Sequence, residues 1–587
     1  MLSRVLDRIE ESANRFFARA WPSYVLIALL QTKIIWRIWD LRDGTYGDTA
    51  SYFRTAEAWR DGFRMNIVWS PLYTSFYGSF LWVTSDPVMA TTLHRVAIVM
   101  LATMGVLFVL RAVLPPPLAL LGAVWWAVLP INFNTLYEVH LFALLPILAA
   151  WGLILTIDKP WARGCAIAII AGAAVLVRNE FGLGAAGLAV LCLIYEARHR
   201  PACTSPSGTA ATYLAAYGLP LLAAAALCLL AYWRSTVRFP QIWSALDAKH
   251  TLNMCQVYAF GYQQRNPTWT QSPWLDCRSL AAEVFGTGLP SARQMLAANP
   301  AATIEHYLWN LSLVGNGLQV LLFNAMSGRV NPDYAPVRSA WYPLALSIAT
   351  CAAIVAGVWS ARRSWWDGAR DWLFERRRAL IAFLPFLLMA IPVVLTQRPR
   401  PSYFPYVSII AITVTLGALG LASHRFTAAR KLAAAFAVAT AACVLVLVPP
   451  YYVRNPSARP LAAKIEHIRP HHALVQTTRG RVVIGEFASE VASYLSIRRQ
   501  IADPMGREPE LRDNAILAQW DRARPLEQFL ADNAVTVFYV DPAILGELRR
   551  APQAQRLLDQ PATVGWRVLG AEARGSGSWM MLARDPP

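Results

Sequence analysis

An α-helical polytopic membrane protein closed by a small soluble α/β domain is the fold class this sequence predicts. Three observations predict it. Hydrophobic residues make up 56% of the 587 and charged residues only 15%, with mean hydropathy +0.35, which is not the composition of an ordinary soluble globule. Apolar runs of about 17–25 residues recur along the chain, each long enough to cross a bilayer. From Pro449 these runs stop, and short strand-like and helical pieces alternate instead. The net charge of +18 comes almost wholly from arginine. It is placed for membrane orientation, no nucleic-acid module accompanies it, and nucleic acid is excluded as a partner.

The first residues carry Arg4, Arg8, Arg15 and Arg19, and no convincing small-residue cleavage site follows the apolar run. The run from Tyr24 to Trp39 is therefore expected to be an uncleaved first span with the N-terminus in the cytoplasm. Further spans are expected near 94–113, 117–134, 140–157, 164–178, 181–197, 212–232, 341–359, 379–396, 403–422 and 430–449, about eleven in all. Loop charge supports the alternation. The expected cytoplasmic loops hold Arg111; Lys159 and Arg163; Arg198 and Arg200; Arg362, Arg363, Arg370, Arg376, Arg377 and Arg378; and Arg425, Arg430 and Lys431. The short outer turns hold only Arg178, Arg398 and Arg400. This predicts a membrane domain over 1–449, with external loops at about 40–93 and 234–340, and an external α/β domain over 450–587.

The first external loop carries Asp40, Asp43, Asp48, Glu57 and Asp61. After Gly47, Asp48 is placed to cap a short helix, since its carboxylate accepts from backbone N–H groups of the first turn. On that helix Tyr52, Phe53, Ala56, Trp59 and Phe63 recur at helical spacing, which suggests a helix in the membrane interface. Its alternative to a plain cap is a chemical role at the rim of the bilayer. A Pro71-Leu72-Tyr73 step follows.

The three arginines of the outer turns are exceptions at membrane depth, where an ionisable group is costly unless it faces a partner or a wet cavity. Arg178-Asn179-Glu180-Phe181 follows an apolar run; an ion pair snorkelling to the interface is its plainer role. Glu138 and His140 stand at the head of a span, where an acid also favours the helix dipole. Two such groups are too few for a metal site, and no H-E-x-x-H occurs. In Arg398-Pro-Arg400-Pro-Ser-Tyr403, prolines stiffen a turn that presents two guanidiniums suited to phosphate; interfacial anchoring is the alternative.

Together these stretches resemble the GT-C glycosyltransferases, which are polytopic enzymes using polyprenyl-phosphate sugars and include the protein O-mannosyltransferases and lipid A aminoarabinose transferases. The resemblance rests on G-D-x-x-x-Y at Asp48, the P-L-Y step, the E-x-H turn, R-N-E-F-G-L and R-x-x-Y-x-x-P. It spans roughly the first 420 residues through short motifs rather than continuous similarity. It implies Asp48 as catalytic base. It places the donor phosphate at Arg178, Arg398, Arg400 and Tyr403, without singling out either of the last two arginines. Asp40, Tyr52, Tyr73, Glu138, His140 and Glu180 are then cavity-lining. The implied reaction is inverting transfer of a sugar from a polyprenyl-phosphate donor to a hydroxyl of a glycan, lipid or protein acceptor. No D-x-D is present in the first loop, which argues against a metal-dependent oligosaccharyltransferase. No cofactor beyond the donor is indicated. The alanine- and arginine-rich, lysine-poor usage suggests a bacterial cytoplasmic membrane as the location. A lipid-linked sugar flippase and a non-catalytic envelope assembly factor are the rival classes. A flippase would not need an acid poised at the membrane rim.

The large loop from Arg234 to Trp341 holds Asp247, Lys249, His250, Tyr258, Tyr262, Trp269, Trp274, Glu305 and His306 at no motif-grade spacing. Cys255 and Cys277 are the cysteines expected outside, where a disulfide is chemically permitted; the other six give no metal or redox motif. In the C-terminal domain, strands are expected at Ala473–Gln476, Val482–Phe487, Thr536–Asp541, Trp566–Leu569 and Trp579–Ala583, with helices at Ala488–Leu495 and Leu526–Asn533.

Overall fold

Residues 11–12, 15–37, 48–84, 87–132, 138–198, 211–271, 273, 276–323, 341–423, 427–450, 470, 481–484, 520–521, 523–532, 535–540, 545–546, 548–572 and 578–584 are described by a computed structural model of the chain. They divide into two compact units. One comprises Met1–Trp36, Arg64–Tyr73 and Arg95–Arg454; the other comprises Arg37–Phe63, Thr74–His94 and Asn455–Pro587.

The helices in chain order are α1 (Trp21–Ile34), α2 (Asp48–Gly62), α3 (Pro71–Val83), α4 (Pro87–Val113), α5 (Pro116–Val128), α6 (Glu138–Phe142), α7 (Leu144–Thr156), α8 (Pro160–Leu176) and α9 (Phe181–Arg198). A π-turn, Leu214–Gly218, leads into α10 (Leu219–Trp233). Then come α11 (Phe239–Arg265), α12 (Cys277–Phe285), α13 (Ala292–Ala298), α14 (Pro300–Ser312), α15 (Val314–Phe323), α16 (Trp341–Thr396), α17 (Pro405–Ser423) and α18 (Thr427–Leu447). Proline stands in the first turn of α1, α5, α8, α10, α11 and α14, where its missing N–H costs nothing and its φ is already helical.

Among the described residues, seven helices are long and apolar enough to cross a membrane: Met89–Val113, Glu138–Thr156, Phe181–Arg198, Ala211–Trp233, Trp341–Ser360, Arg377–Thr396 and Pro405–Ala422. Pro116–Val128, Pro160–Leu176 and Ala433–Leu447 are shorter apolar helices. With α1, these stand where the spans were expected. Two details differ. The span expected to begin near 94 is preceded by helix from Pro87. The spans expected at 341–359 and 379–396 belong to one 56-residue helix, α16, with no intervening loop. The segment between them, residues 360–378, holds six arginines, which are good helix formers, and no proline; its single glycine, Gly368, weakens a helix interior by about 1 kcal/mol without ending it.

One buried charge of the membrane unit anchors a polar network. The buried Arg163 guanidinium donates to Glu196 at 2.7 Å and to Asp158 at 2.9 Å, and the Tyr213 and Tyr217 hydroxyls donate to Glu196 at 2.9 and 3.0 Å. This network joins α8, α9, the π-turn and its approach. α8 comes close there because of Gly164: a Cβ at that position would stand 2.0 Å from the Ala216 carbonyl oxygen. Lys33, in the last turn of α1, donates to the carbonyls of Leu445 and Val446 (3.0 Å to the latter), at the C-terminal end of α18. Those carbonyls have no partner within the helix, so a lysine here completes the helix end.

The C-terminal part of the second unit holds β1 (Arg481–Ile484), α19 (Leu526–Asp532), β2 (Val535–Val540), α20 (Gln555–Asp559), β3 (Trp566–Glu572) and β4 (Trp579–Arg584). The sheet order is β1-β2-β4-β3, with β1 and β2 parallel and the other neighbours antiparallel. Val537 pairs with Ala583, and Val568 with Leu582. β2 is central, which is why its sequence V-T-V-F-Y-V is nearly continuously apolar rather than alternating. Its core gathers Trp520, Leu526, Leu530, Val535, Phe538, Leu557, Trp566 and Leu582. Expected elements at Ala473–Gln476 and Ala488–Leu495 lie outside the described residues.

Candidate functional site

The acidic stretch after the first apolar run forms α2, which begins at Asp48 as the G-D step predicts. Tyr52, Phe53 and Ala56 are buried on one face. Phe53 packs edge-on against Tyr77 with ring centroids 5.7 Å apart, and Trp59 lies 5.1 Å from Phe63 and 6.2 Å from Trp82. Gly78 lets α3 close on this face, because a Cβ there would stand 2.5 Å from the Ala56 carbonyl oxygen. Part of the aromatic stripe expected in the membrane interface is thus covered by α3, while Phe63 at its end stays exposed. The Asp48 side chain, Asp40 and Asp43 lie outside the described residues.

In the membrane unit, the expected turns meet. Arg178 follows the end of α8 and is held from three sides. Its Nη1 donates to His140 Nδ1 at 2.7 Å, its Nε pairs with Glu180 Oε1 at 2.9 Å, and its Cζ lies 4.3 Å from the centre of the Tyr403 ring. A guanidinium cannot accept a hydrogen bond, so His140 presents a bare Nδ1 and carries its proton on Nε2. The His140 and Tyr403 rings stand 5.0 Å apart, and Arg400 lies 5.6 Å from the same tyrosine ring. Two cations thus share one aromatic ring, an arrangement that favours an anion between or beside them. The P-L-Y step and the serine before it also join the assembly. Ser70 donates to the Val177 carbonyl at 2.9 Å, and Tyr73 packs on Phe142, next but one to His140, at 5.4 Å.

Other expected residues are placed differently. Glu138 is buried and pairs with Arg95 at 3.7 Å, an ion pair longer than a hydrogen bond. Arg398 is buried with its Cζ 4.8 Å from the Phe260 ring of α11, so the two arginines of the proline-rich turn have separate surroundings. Of the expected cavity-lining set, Tyr52 belongs to the second unit, while Tyr73, Glu138, His140 and Glu180 belong to the membrane unit.

Several residues here were given no role from sequence. Arg95 is an arginine inside an apolar run and carries the same signal as Arg178. Asn179 donates to His250 of α11 at 3.1 Å, and Lys249 donates to the Val68 carbonyl at 2.7 Å while lying 4.2 Å from the Trp69 ring. α14 reaches the end of α16: Asn310 donates to the Leu395 carbonyl at 2.8 Å, and His306 Nε2 stands 3.3 Å from that of Thr396. These bonds finish the helix just before Arg398. His306 is fully buried, and burial pushes its pKa down to about 4, with Arg265 and Arg398 adding to the effect. Among the described residues, no three His, Cys, Asp or Glu side chains converge on a common point.

Fold and site together define a polytopic helical protein with a tyrosine-backed cationic cluster where its interhelical turns meet. The chain is similar to solved structures of an oligosaccharyltransferase from Archaeoglobus fulgidus. The apo form aligns over 89% of this chain and 69% of that chain, at 13% identity and a TM-score of 0.46. A complex of that organism's AglB with an inhibitory peptide and a dolichol-phosphate aligns over 90% and 70%, at 14% identity and a TM-score of 0.41. A complex with Zn and sulfate aligns over 96% and 73%, at 14% identity and a TM-score of 0.39. No family model matches the chain, and neither does any curated protein.

Proposed function

We propose that this protein is an integral membrane glycosyltransferase that moves a sugar from a polyprenyl-phosphate donor to an acceptor hydroxyl at the outer face of a bacterial cytoplasmic membrane. The observation that carries the proposal is the meeting of Arg178, His140, Glu180, Arg400 and Tyr403 from three separate turns. Charges at membrane depth are retained where they serve a substrate or a partner. A pair of arginines against one tyrosine suits a lipid phosphate better than a neutral ligand.

In this reading Arg178 and Arg400 receive the donor phosphate, while His140 and Glu180 orient Arg178. Asp48 takes the proton from the acceptor hydroxyl as its oxygen attacks the anomeric carbon. The bond to the phosphate breaks on the opposite face, and the configuration inverts. Negative charge builds on the leaving lipid phosphate, where fixed guanidiniums stabilise it. A phosphate leaving group needs no strong general acid.

The test uses the purified, detergent-solubilised chain, with donor binding and sugar transfer followed separately. Arg178→Gln and Arg400→Gln should each weaken binding of a polyprenyl-phosphate sugar by about tenfold or more, as expected for a lost charge-assisted hydrogen bond. Unchanged binding in the double variant would refute the phosphate site. Donor binding without transfer to any acceptor class would point instead to a carrier of lipid-linked sugar.

A further inference from the structure

Outside the arginine cluster, one pair of reactive side chains stands in contact without a role. Cys255 lies on α11 and Cys277 opens α12; both are buried as free thiols in one apolar cluster with Tyr258, Leu280, Phe285 and Met295. Cys255 Sγ donates to the Gly288 carbonyl at 3.4 Å, and Cys277 packs beside it in the same cluster, near enough for each thiol to perturb the other's ionisation. Cys165, Cys192, Cys228, Cys351 and Cys443 all lie within the apolar helices α8, α9, α10, α16 and α18.

We propose that Cys255 and Cys277 are joined in the mature protein by a disulfide that staples α12 to α11. α11 is the helix that meets both arginine turns, through His250 at Asn179 and Phe260 under Arg398, and Cys255 stands midway between those residues. The staple therefore fixes the element lying over the site. The proposal rests on the external placement of this loop, not on the transfer chemistry.

The thiols are unequal. The neighbouring Cys255 holds the Cys277 thiol below its ordinary range and is itself raised, and Cys277 also sits at a helix N-terminus. The start of α12 is local structure that does not depend on α11, so it favours the Cys277 thiolate before the two helices close, and Cys277 is the attacking thiolate. It attacks one sulfur of a protein or small-molecule disulfide, releasing one oxidant thiol and forming a mixed disulfide. Cys255, as thiolate, then attacks the Cys277 sulfur, the Cys255–Cys277 bond forms, and the second oxidant thiol leaves. Two electrons pass to the oxidant and the two cysteine protons are released. Both sulfurs are buried in the finished fold, so this exchange precedes the closing of α12 over α11.

The experiment isolates the full chain from acid-quenched cells, alkylates it in denaturant and maps its peptides by mass spectrometry with and without reduction. The expected result is one cross-linked peptide pair carrying Cys255 and Cys277, which separates on reduction. Alkylation of both cysteines before reduction, or pairing of either with another cysteine, overturns the proposal. A compartment reporter inserted into the full chain after Gly286 separates two causes of free thiols: an external signal indicts the pairing, a cytoplasmic one the placement. Reduction of the folded protein should also speed proteolytic cleavage between α11 and α12 by about tenfold; no acceleration counts against the staple.

Discussion

At the scale of single residues, the sharpest prediction concerns Asp48. A cap and a base ask different things of one carboxylate. Asparagine still accepts the backbone bonds of a helix start, but it cannot take a proton. Asp48→Asn is expected to leave insertion and donor binding near normal while transfer falls by about 10²–10⁴-fold. Transfer at near wild-type rate would make Asp48 a cap only. His306 gives a second prediction. Its folded-state pKa of about 4 lies below the ordinary 6.5, so between those values the unfolded chain binds a proton that the folded chain refuses. Its contribution is fully present above pH 6.5 and is lost as the pH falls toward 4, on the order of 3 kcal/mol at full extent. The groups around it are Tyr258, Arg265 with its partner Glu305, Asn310 and Arg398. Melting temperatures at neutral and acid pH should show a smaller acid loss in His306→Gln than in wild type; equal losses would exclude this residue as the cause. Arg178, His140 and Tyr403 were legible in the sequence because charges and tyrosines at the ends of apolar runs stand out. Their pairing was not, since which guanidinium meets which ring depends on turns brought together by packing. Arg398 and Arg400, two positions apart, could be separated only by the structure.

At the scale of elements, close helix approach is set by glycine. A methyl group at Gly164 would meet the Ala216 carbonyl oxygen at 2.0 Å, and that oxygen is backbone and cannot rotate away. Gly164→Ala should force α8 and the π-turn apart, straining the neighbouring Arg163–Glu196 pair. The expected cost is about 1–3 kcal/mol, read as a lower melting temperature in detergent; an unchanged melt would show that the two backbones separate freely. Span positions were legible because length and hydropathy decide them. The continuity of α16 was not, because a cluster of arginines signals a membrane-facing loop and a good helix equally well. Burial of the α2 stripe was missed for a similar reason: periodicity marks an apolar face without naming its cover.

At the scale of the whole molecule, an external C-terminal domain is the proposal that the alternation of loop charge supports. A reporter fused after Asp585 should be read outside the cytoplasm, and a cytoplasmic signal would overturn the orientation on which an outer-face reaction depends.

The bond from Lys33 to the end of α18 also has a consequence in time. The residues it joins are 412 positions apart. A ribosome adding about 5–20 residues per second needs roughly 20–80 s to bridge that distance. For that interval the first span is already made while its lysine still lacks these carbonyls, and the ammonium must stay near water or headgroups at the membrane edge. Only α18, once made, releases it from that position. Synthesis of this protein thus has a built-in late step, in which a span made early is secured by one made much later.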